Sequence, residues 1–317
     1  SYLLSNQEVC GKRAIDYFAD KFDDPMMYAQ AVKSVSVPTQ SILFNIDIEG
    51  PLTKDKTAVL RVFAKMFYNH CGFYGDDLKI AKLERFIEKQ GKTQQFREAF
   101  EKVNGAPWTE TRDSFAFFED DIVSVLQSTL GMSEQAARNW FNGEETNELS
   151  IAQLVADIQE YVDGKGKDFR LLFMVDEVGQ YIGDDGDLMI NLQSLVEEIG
   201  IRCHGKVWVM VTSQEAIDSV VHITGNDFSK IQGRFNTRLS LSSSSVDEVI
   251  KKRVLAKTDA ADQLLRMVYD KEHAVLKNLY TFNNPVLDIK GFTDGAEFSA
   301  TFPFVPYQFI VIQKVLA

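Results

Sequence analysis

Arg170-Leu171-Leu172-Phe173-Met174-Val175-Asp176-Glu177 is an apolar run that ends in two adjacent carboxylates. Its length suits a strand, and its successive apolar side chains leave neither face for solvent. That is the pattern of a central strand in a parallel sheet with helices over both faces. Lys206 to Thr212 (KVWVMVT) repeats the pattern. Ser41 to Asp47 (SILFNID), after Pro38, and Thr237 to Leu241 (TRLSL) bring the expected strands to four. Between the second and third strands, Asp187 is placed to cap a helix from Leu188 to Ile199, with Gly200 as its stop. Leu188, Leu192, Leu195, Val196 and Ile199 share one face of that helix. Strand, helix and strand at this spacing predict a right-handed βαβ crossover.

The segment from about 53 to 161 carries amphipathic helical patterns and no strand pattern. They cover Lys56 to His70, Leu78 to Gln90, Thr93 to Val103, Ser114 to Leu130, Ser133 to Phe141 and Ile151 to Tyr161. They read as a helical insertion between the first and second strands. From Val246 onward the chain is again mostly helical. The expected fold is α/β: a P-loop sheet of the additional-strand, AAA+-like kind in residues 1–245, with a lid-like helical subdomain in 246–317. The 23 phenylalanines supply ample core material.

The two carboxylates suit ATP hydrolysis for a physical reason. A buried, rigid strand holds an acid accurately at its tip, and open α/β sheets bind ligands at the carboxyl ends of their strands. Asp176 would orient the water shell of Mg²⁺, and Glu177 would polarise the attacking water. The alternative is a core strand running into a solvated turn. At the tip of the next strand stand Thr212 and Ser213, polar residues where such ATPases place a γ-phosphate sensor; equally, either could cap the following helix. Arg234 and Arg238, just before the fourth strand, occupy the place where ring-forming ATPases present an arginine to a neighbouring subunit's nucleotide. A homo-oligomer is the partner that would use them. Arg253, in the helix that follows, reads either as a second sensor or as a helix-face cation.

A P-loop of the form G-x-x-x-x-G-K-[ST] is absent from the sequence. Gly91-Lys92-Thr93 comes nearest, but Phe86 stands at the first glycine position and a helical pattern precedes it. Asp184-Asp185-Gly186-Asp187 lacks the ligand spacing of a calcium loop and reads as a turn before the next helix. Cys10, Cys71 and Cys203 are far apart, without metal-ligand spacing. Their odd count fits a reducing, cytoplasmic setting. The net charge of −12 and the lack of a dense Lys/Arg run speak against direct nucleic-acid binding by this piece. No apolar stretch approaches the roughly 20 residues of a membrane span. The chain opens on Ser1-Tyr2-Leu3-Leu4, read as mid-helix, and closes on Phe309 to Leu316, read as mid-element. Both ends read as cut from a longer protein.

The run VDEVGQYIGDD, continuing through LMINLQSLVEEIG to GKVWVMVTSQEAID, resembles the large P-loop ATPase of bacterial BREX phage-defence systems (the BrxC/PglY family). The opening SYLLSNQEV and GKRAIDYF resemble that family's stretch just after its Walker A motif, and FPFVPYQF near the end is also similar. Residues 171–218 are the most specific part. The resemblance implies a far longer, cytoplasmic bacterial protein that binds ATP and Mg²⁺. It implies work beside a DNA methyltransferase and other BREX proteins, on DNA reached through the full-length chain. Asp176 and Glu177 match the family's Walker B position, and Thr212 and Ser213 match a sensor position. The departure is the absent Walker A. Two other functions stay open: a non-catalytic scaffold built on the ATPase fold, and a DNA-loading ATPase of the replication-initiator type, for which no basic winged-helix pattern is evident.

Overall fold

Three strands run parallel in the order β3 (Thr39–Asn45), β4 (Arg170–Asp176) and β5 (Val207–Val211). They follow a small antiparallel hairpin, β1 (Glu8–Val9) with β2 (Lys12–Arg13). The computed structural model describes residues 1–317 except 23, 52, 143–148, 184, 214–234, 236, 238, 240–245, 281–290 and 317. The chain is a mixed α/β protein that divides into two compact units, Ser1–Asn236 and Thr237–Ala317. The strand expected from Thr237 to Leu241 falls largely outside the described residues.

β4 has its expected span. β3 lies two residues earlier than its apolar pattern suggests, because Asn45 ends it. The Asn45 Oδ1 accepts from the amides of Asp47 (2.9 Å) and Ile48 (3.2 Å) and so caps α2 (Ile46–Glu49). A side chain that satisfies two free amides at a helix start outcompetes one more rung of strand. In register, Asn45 pairs with Asp176 and Val175 with Val211, so the carboxyl ends of all three strands align.

One face of the sheet carries Ile42, Phe44, Leu171, Phe173, Val175 and Val207, and all are buried. The helices packed with them are α3 (Ala58–His70), α9 (Ile151–Gly164) and α11 (Gly186–Arg202). The other face differs from expectation. Leu172 is buried there, but Leu43 and Trp208 are 55% and 50% exposed. Among the described residues this face is only partly covered, so an apolar strand pattern does not by itself show helices on both sides.

The inserted helices separate into two groups. α3 and α9 belong to the main core on the sheet. α4 (Leu78–Lys89), α5 (Thr93–Asn104), α6 (Trp108–Thr111), α7 (Glu119–Leu130) and α8 (Glu134–Asn142) build a second core around Trp108, Phe96, Phe100, Ile122 and Leu126. There the buried Glu84 accepts from the Trp108 Nε1 (2.6 Å), the Tyr74 amide (2.6 Å) and Arg112 (3.0 Å). The buried Glu84 is thus held by three donors, which offsets the cost of taking it out of water. Arg85 of α4 braces the two groups by pairing with Asp157 and Glu160 of α9, and the Tyr68 hydroxyl of α3 donates to the same Asp157 (2.8 Å).

Two local readings are corrected. The opening residues are not mid-helix: Ser1–Asn6 form turns, and Asn6 adopts a left-handed backbone (φ 45°) with its Oδ1 accepting from the Ile15 amide (3.3 Å). That bond spans nine residues, so the apolar pattern of Tyr2-Leu3-Leu4 gives no sign of it. The crossover helix is capped by Asp185, not Asp187, through the amides of Asp187 (2.9 Å) and Leu188 (3.1 Å). It runs through Gly200 to Arg202, since one glycine costs a packed helix only about 1 kcal/mol.

His70, at the end of α3, contacts the Gln40 Oε1 (3.0 Å), which also accepts from the Tyr161 hydroxyl (2.7 Å). Burial, and then the charge of Lys165, lower its pKa. The unfolded chain therefore takes up this proton at a higher pH than the folded chain. Stability is expected to fall as pH drops from about 7.5 to 5.5, through the ordinary histidine range. The His70→Gln variant should show a flatter dependence of melting temperature on pH across that window. An unchanged slope would contradict the assignment.

The second unit holds α12 (Val246–Val249) with a π-helical turn (Ile250–Val254), α13 (Asp259–Leu279), α14 (Gly295–Thr301) and α15 (Pro306–Leu316). Tyr269 of α13 packs on Phe292 and Phe298, and among the described residues of this unit Phe298, Val305 and Phe309 are buried. Among the described residues no helix is long and apolar enough to cross a membrane.

Candidate functional site

Asp176 is the last residue of β4, and its side chain is exposed. Thr212 follows β5 directly. Its amide donates to the Val175 carbonyl (2.9 Å) and its carbonyl accepts from the Val178 amide (3.1 Å). This backbone pairing carries the β4–β5 ladder one step further and seats Thr212 beside the acid pair. The Thr212 hydroxyl donates to the Asp176 Oδ1, and the Glu177 amide donates to the same oxygen (3.1 Å).

Glu177 turns the chain sharply. It is a non-glycine residue in left-handed backbone (φ 60°, ψ 30°) and the N-cap of α10 (Val178–Ile182). Such a conformation costs of order 1–3 kcal/mol and persists only where its surroundings fix it. One of those surroundings is Asn45, whose Nδ2 donates to the Glu177 Oε2 at 2.6 Å. Asn45 thus divides its amide: the oxygen caps α2 and the nitrogen holds the glutamate. β3 is adjacent to β4 and in register with it, which brings together two residues that lie 132 positions apart.

The structure therefore assembles Asp176, Glu177 and Thr212 at one strand end, with Ser213 next in sequence. The Ser213 hydroxyl is buried and has no hydrogen-bond partner among the described residues. Arg253 is exposed on the π-helical turn of the second unit. Arg234 and Arg238 lie outside the described residues. Asn45 was not singled out from the sequence, where it reads as one more residue inside an apolar strand. The available signal was a polar side chain near the tip of the strand preceding the acid strand.

Among the described residues no group of three or more His, Cys, Asp or Glu side chains forms a metal cage. Mg²⁺ does not require one. It keeps several waters and takes one or two carboxylates together with substrate phosphates. An exposed Asp176 beside the Thr212 hydroxyl fits that donor set. No phosphate cradle was found at Gly91-Lys92-Thr93. There α4 ends, with the Gly91 amide donating to Glu88 (2.8 Å) and the Lys92 amide to Ile87 (3.1 Å), a helix C-terminal turn leading into α5. A cavity of about 100 Å³ in the second core is lined by Cys71, Glu84, Thr93 and Trp108 and includes none of the strand-end residues. No family model matches the chain, and no solved structure matches it.

Proposed function

We propose that this chain carries the water-activating and metal-holding half of an ATP-hydrolysing P-loop site of the additional-strand, AAA+-like class. The observation that carries the reading is the joint placement of Asn45, Asp176, Glu177 and Thr212 at the aligned carboxyl ends of three parallel strands. In this reading Asp176 holds the water shell of Mg²⁺ and Thr212 orients Asp176. Glu177, held by Asn45, takes the proton of the attacking water. Mg²⁺, when bound, supplies charge neutralisation for the phosphates. The strand order supports this assignment. The acid strand is flanked on both sides, and β5, which pairs only with β4 among the described residues, keeps an edge for a P-loop strand. In this reading the phosphate cradle, for which the sequence carries no G-x-x-x-x-G-K-[ST], is supplied from elsewhere.

The resemblance to the BREX ATPase extends the proposal. The parent protein would couple ATP turnover to assembly or remodelling on DNA beside a methyltransferase, with Arg234 or Arg238 serving a neighbouring copy and Arg253 serving as a second sensor. The scaffold reading keeps the same fold without turnover, and the absent cradle is the observation in its favour.

Nucleotide binding by the parent protein tests the metal role. Asp176→Ala is expected to weaken Mg²⁺-dependent ATP binding by roughly tenfold to a hundredfold, the range for disturbed metal sites. ATP binding measured in EDTA should stay unchanged. Equal losses with and without Mg²⁺ would argue against Asp176 as the metal residue.

A further inference from the structure

We infer that Lys54 is a positioning residue for Glu177, acting through the short helix α10. The inference deepens the ATPase reading and rests on it for the role of Glu177. Glu177 is the N-cap of α10, so whatever orients α10 orients the backbone from which the carboxylate projects. A helix of five residues does not hold itself, and its last carbonyls lack intrahelical partners. Lys54 supplies one. Its Nζ donates to the Tyr181 carbonyl at 2.9 Å and lies 4.1 Å from the centroid of the Tyr181 ring. A cation at this end also opposes the negative pole of the helix.

Gly50 closes the bracket. A Cβ at this position would lie 2.6 Å from the Tyr181 Cε2 and 2.8 Å from its Oη, so only glycine lets the chain pass against that buried ring. One continuous segment, Asn45 to Lys54, therefore holds the Glu177 side chain at its start and the helix behind Glu177 at its end. The chain that follows the segment is tied down as well. The Thr57 amide and hydroxyl donate to the Asp55 Oδ1 (2.8 and 2.7 Å), and the Leu60 amide at the start of α3 donates to the Asn191 Oδ1 of α11 (3.0 Å). The bland account of Lys54 is a surface ion pair with Asp47 at 3.9 Å, which would contribute next to nothing. The carbonyl bond and the ring contact set it apart from such a pair.

The test uses the parent protein and two readouts, ATP hydrolysis and hydrogen–deuterium exchange of the α10 amides. Lys54→Ala is expected to lower kcat about three- to tenfold, the rate equivalent of one hydrogen bond, with KM for ATP unchanged. Lys54→Arg, which keeps a cationic donor, should restore most of the rate. In Lys54→Ala the amides of Tyr181 and Gly183 should exchange faster while those in the middle of α3 keep their rate. Gly50→Ala, whose Cβ would press on the same ring, should give the same pair of changes. Unchanged exchange in Lys54→Ala would overturn the proposal whatever happens to activity, and so would faster exchange with kcat intact. If the unsubstituted protein hydrolyses no ATP, the ATPase reading fails and the positioning role falls with it; the exchange result then separately shows whether Lys54 clamps α10.

Discussion

Glu177→Gln is expected to retain ATP binding and to lose turnover by on the order of a hundredfold or more, the usual contribution of a positioned general base. The geometry makes this substitution selective. The Asn45 Nδ2 donates to the Glu177 Oε2, and a glutamine side-chain oxygen accepts the same bond. The left-handed turn at 177 is no harder for glutamine than for glutamate. The variant thus keeps the fold of the strand end and the contact to β3, and loses only the ability to take a proton. Phosphate release at saturating ATP, with nucleotide affinity measured beside it, checks the prediction. A parallel loss of affinity would mean that Glu177 binds rather than activates.

The largest expected effect on stability is at Phe63. Its side chain is fully buried on α3, edge-on to Phe44 of β3 (centroids 5.4 Å apart) and tilted against Phe173 of β4 (5.3 Å). These three rings join the first inserted helix to the two strands that carry Asn45 and Asp176. Phe63→Ala is expected to destabilise by about 3–5 kcal/mol, from lost transfer energy and the cavity left behind. Part of that cost is aromatic pairing, about 0.5–1.5 kcal/mol per pair. The shift in urea midpoint at constant slope measures it. A loss below about 1 kcal/mol would contradict the placement of α3 on the sheet.

The parts of this protein legible in its sequence are those fixed by local pattern. β4 could be read at both ends because Leu171 to Val175 are all apolar and the charged Arg170 and Asp176 bound the run. The longer helices of the insertion were legible from their periodicity, but the helix expected from Ser114 begins as a 3-10 stretch with α7 starting only at Glu119, and the four-residue α6 is too short to show a period. What could not be read depends on contacts distant in the chain. Periodicity shows that α3 and α9 have an apolar face, but not that this face meets the sheet while α4 to α8 gather around Trp108. The end of β3 was misplaced because Asn45 serves a helix cap and Glu177 at once. The left-handed backbone of Glu177 has no residue signature either, since glutamate does not favour it.

We propose that the strand end of Asp176 and Glu177 hydrolyses Mg²⁺-bound ATP. Phosphate release by a protein that contains this chain together with a phosphate cradle tests this most directly in paired reactions with Mg²⁺ and with EDTA. The account predicts release that needs Mg²⁺ and disappears in Glu177→Gln. Neither ATP binding nor release under any of these conditions would contradict it and leave the acid pair as the solvated end of a structural strand.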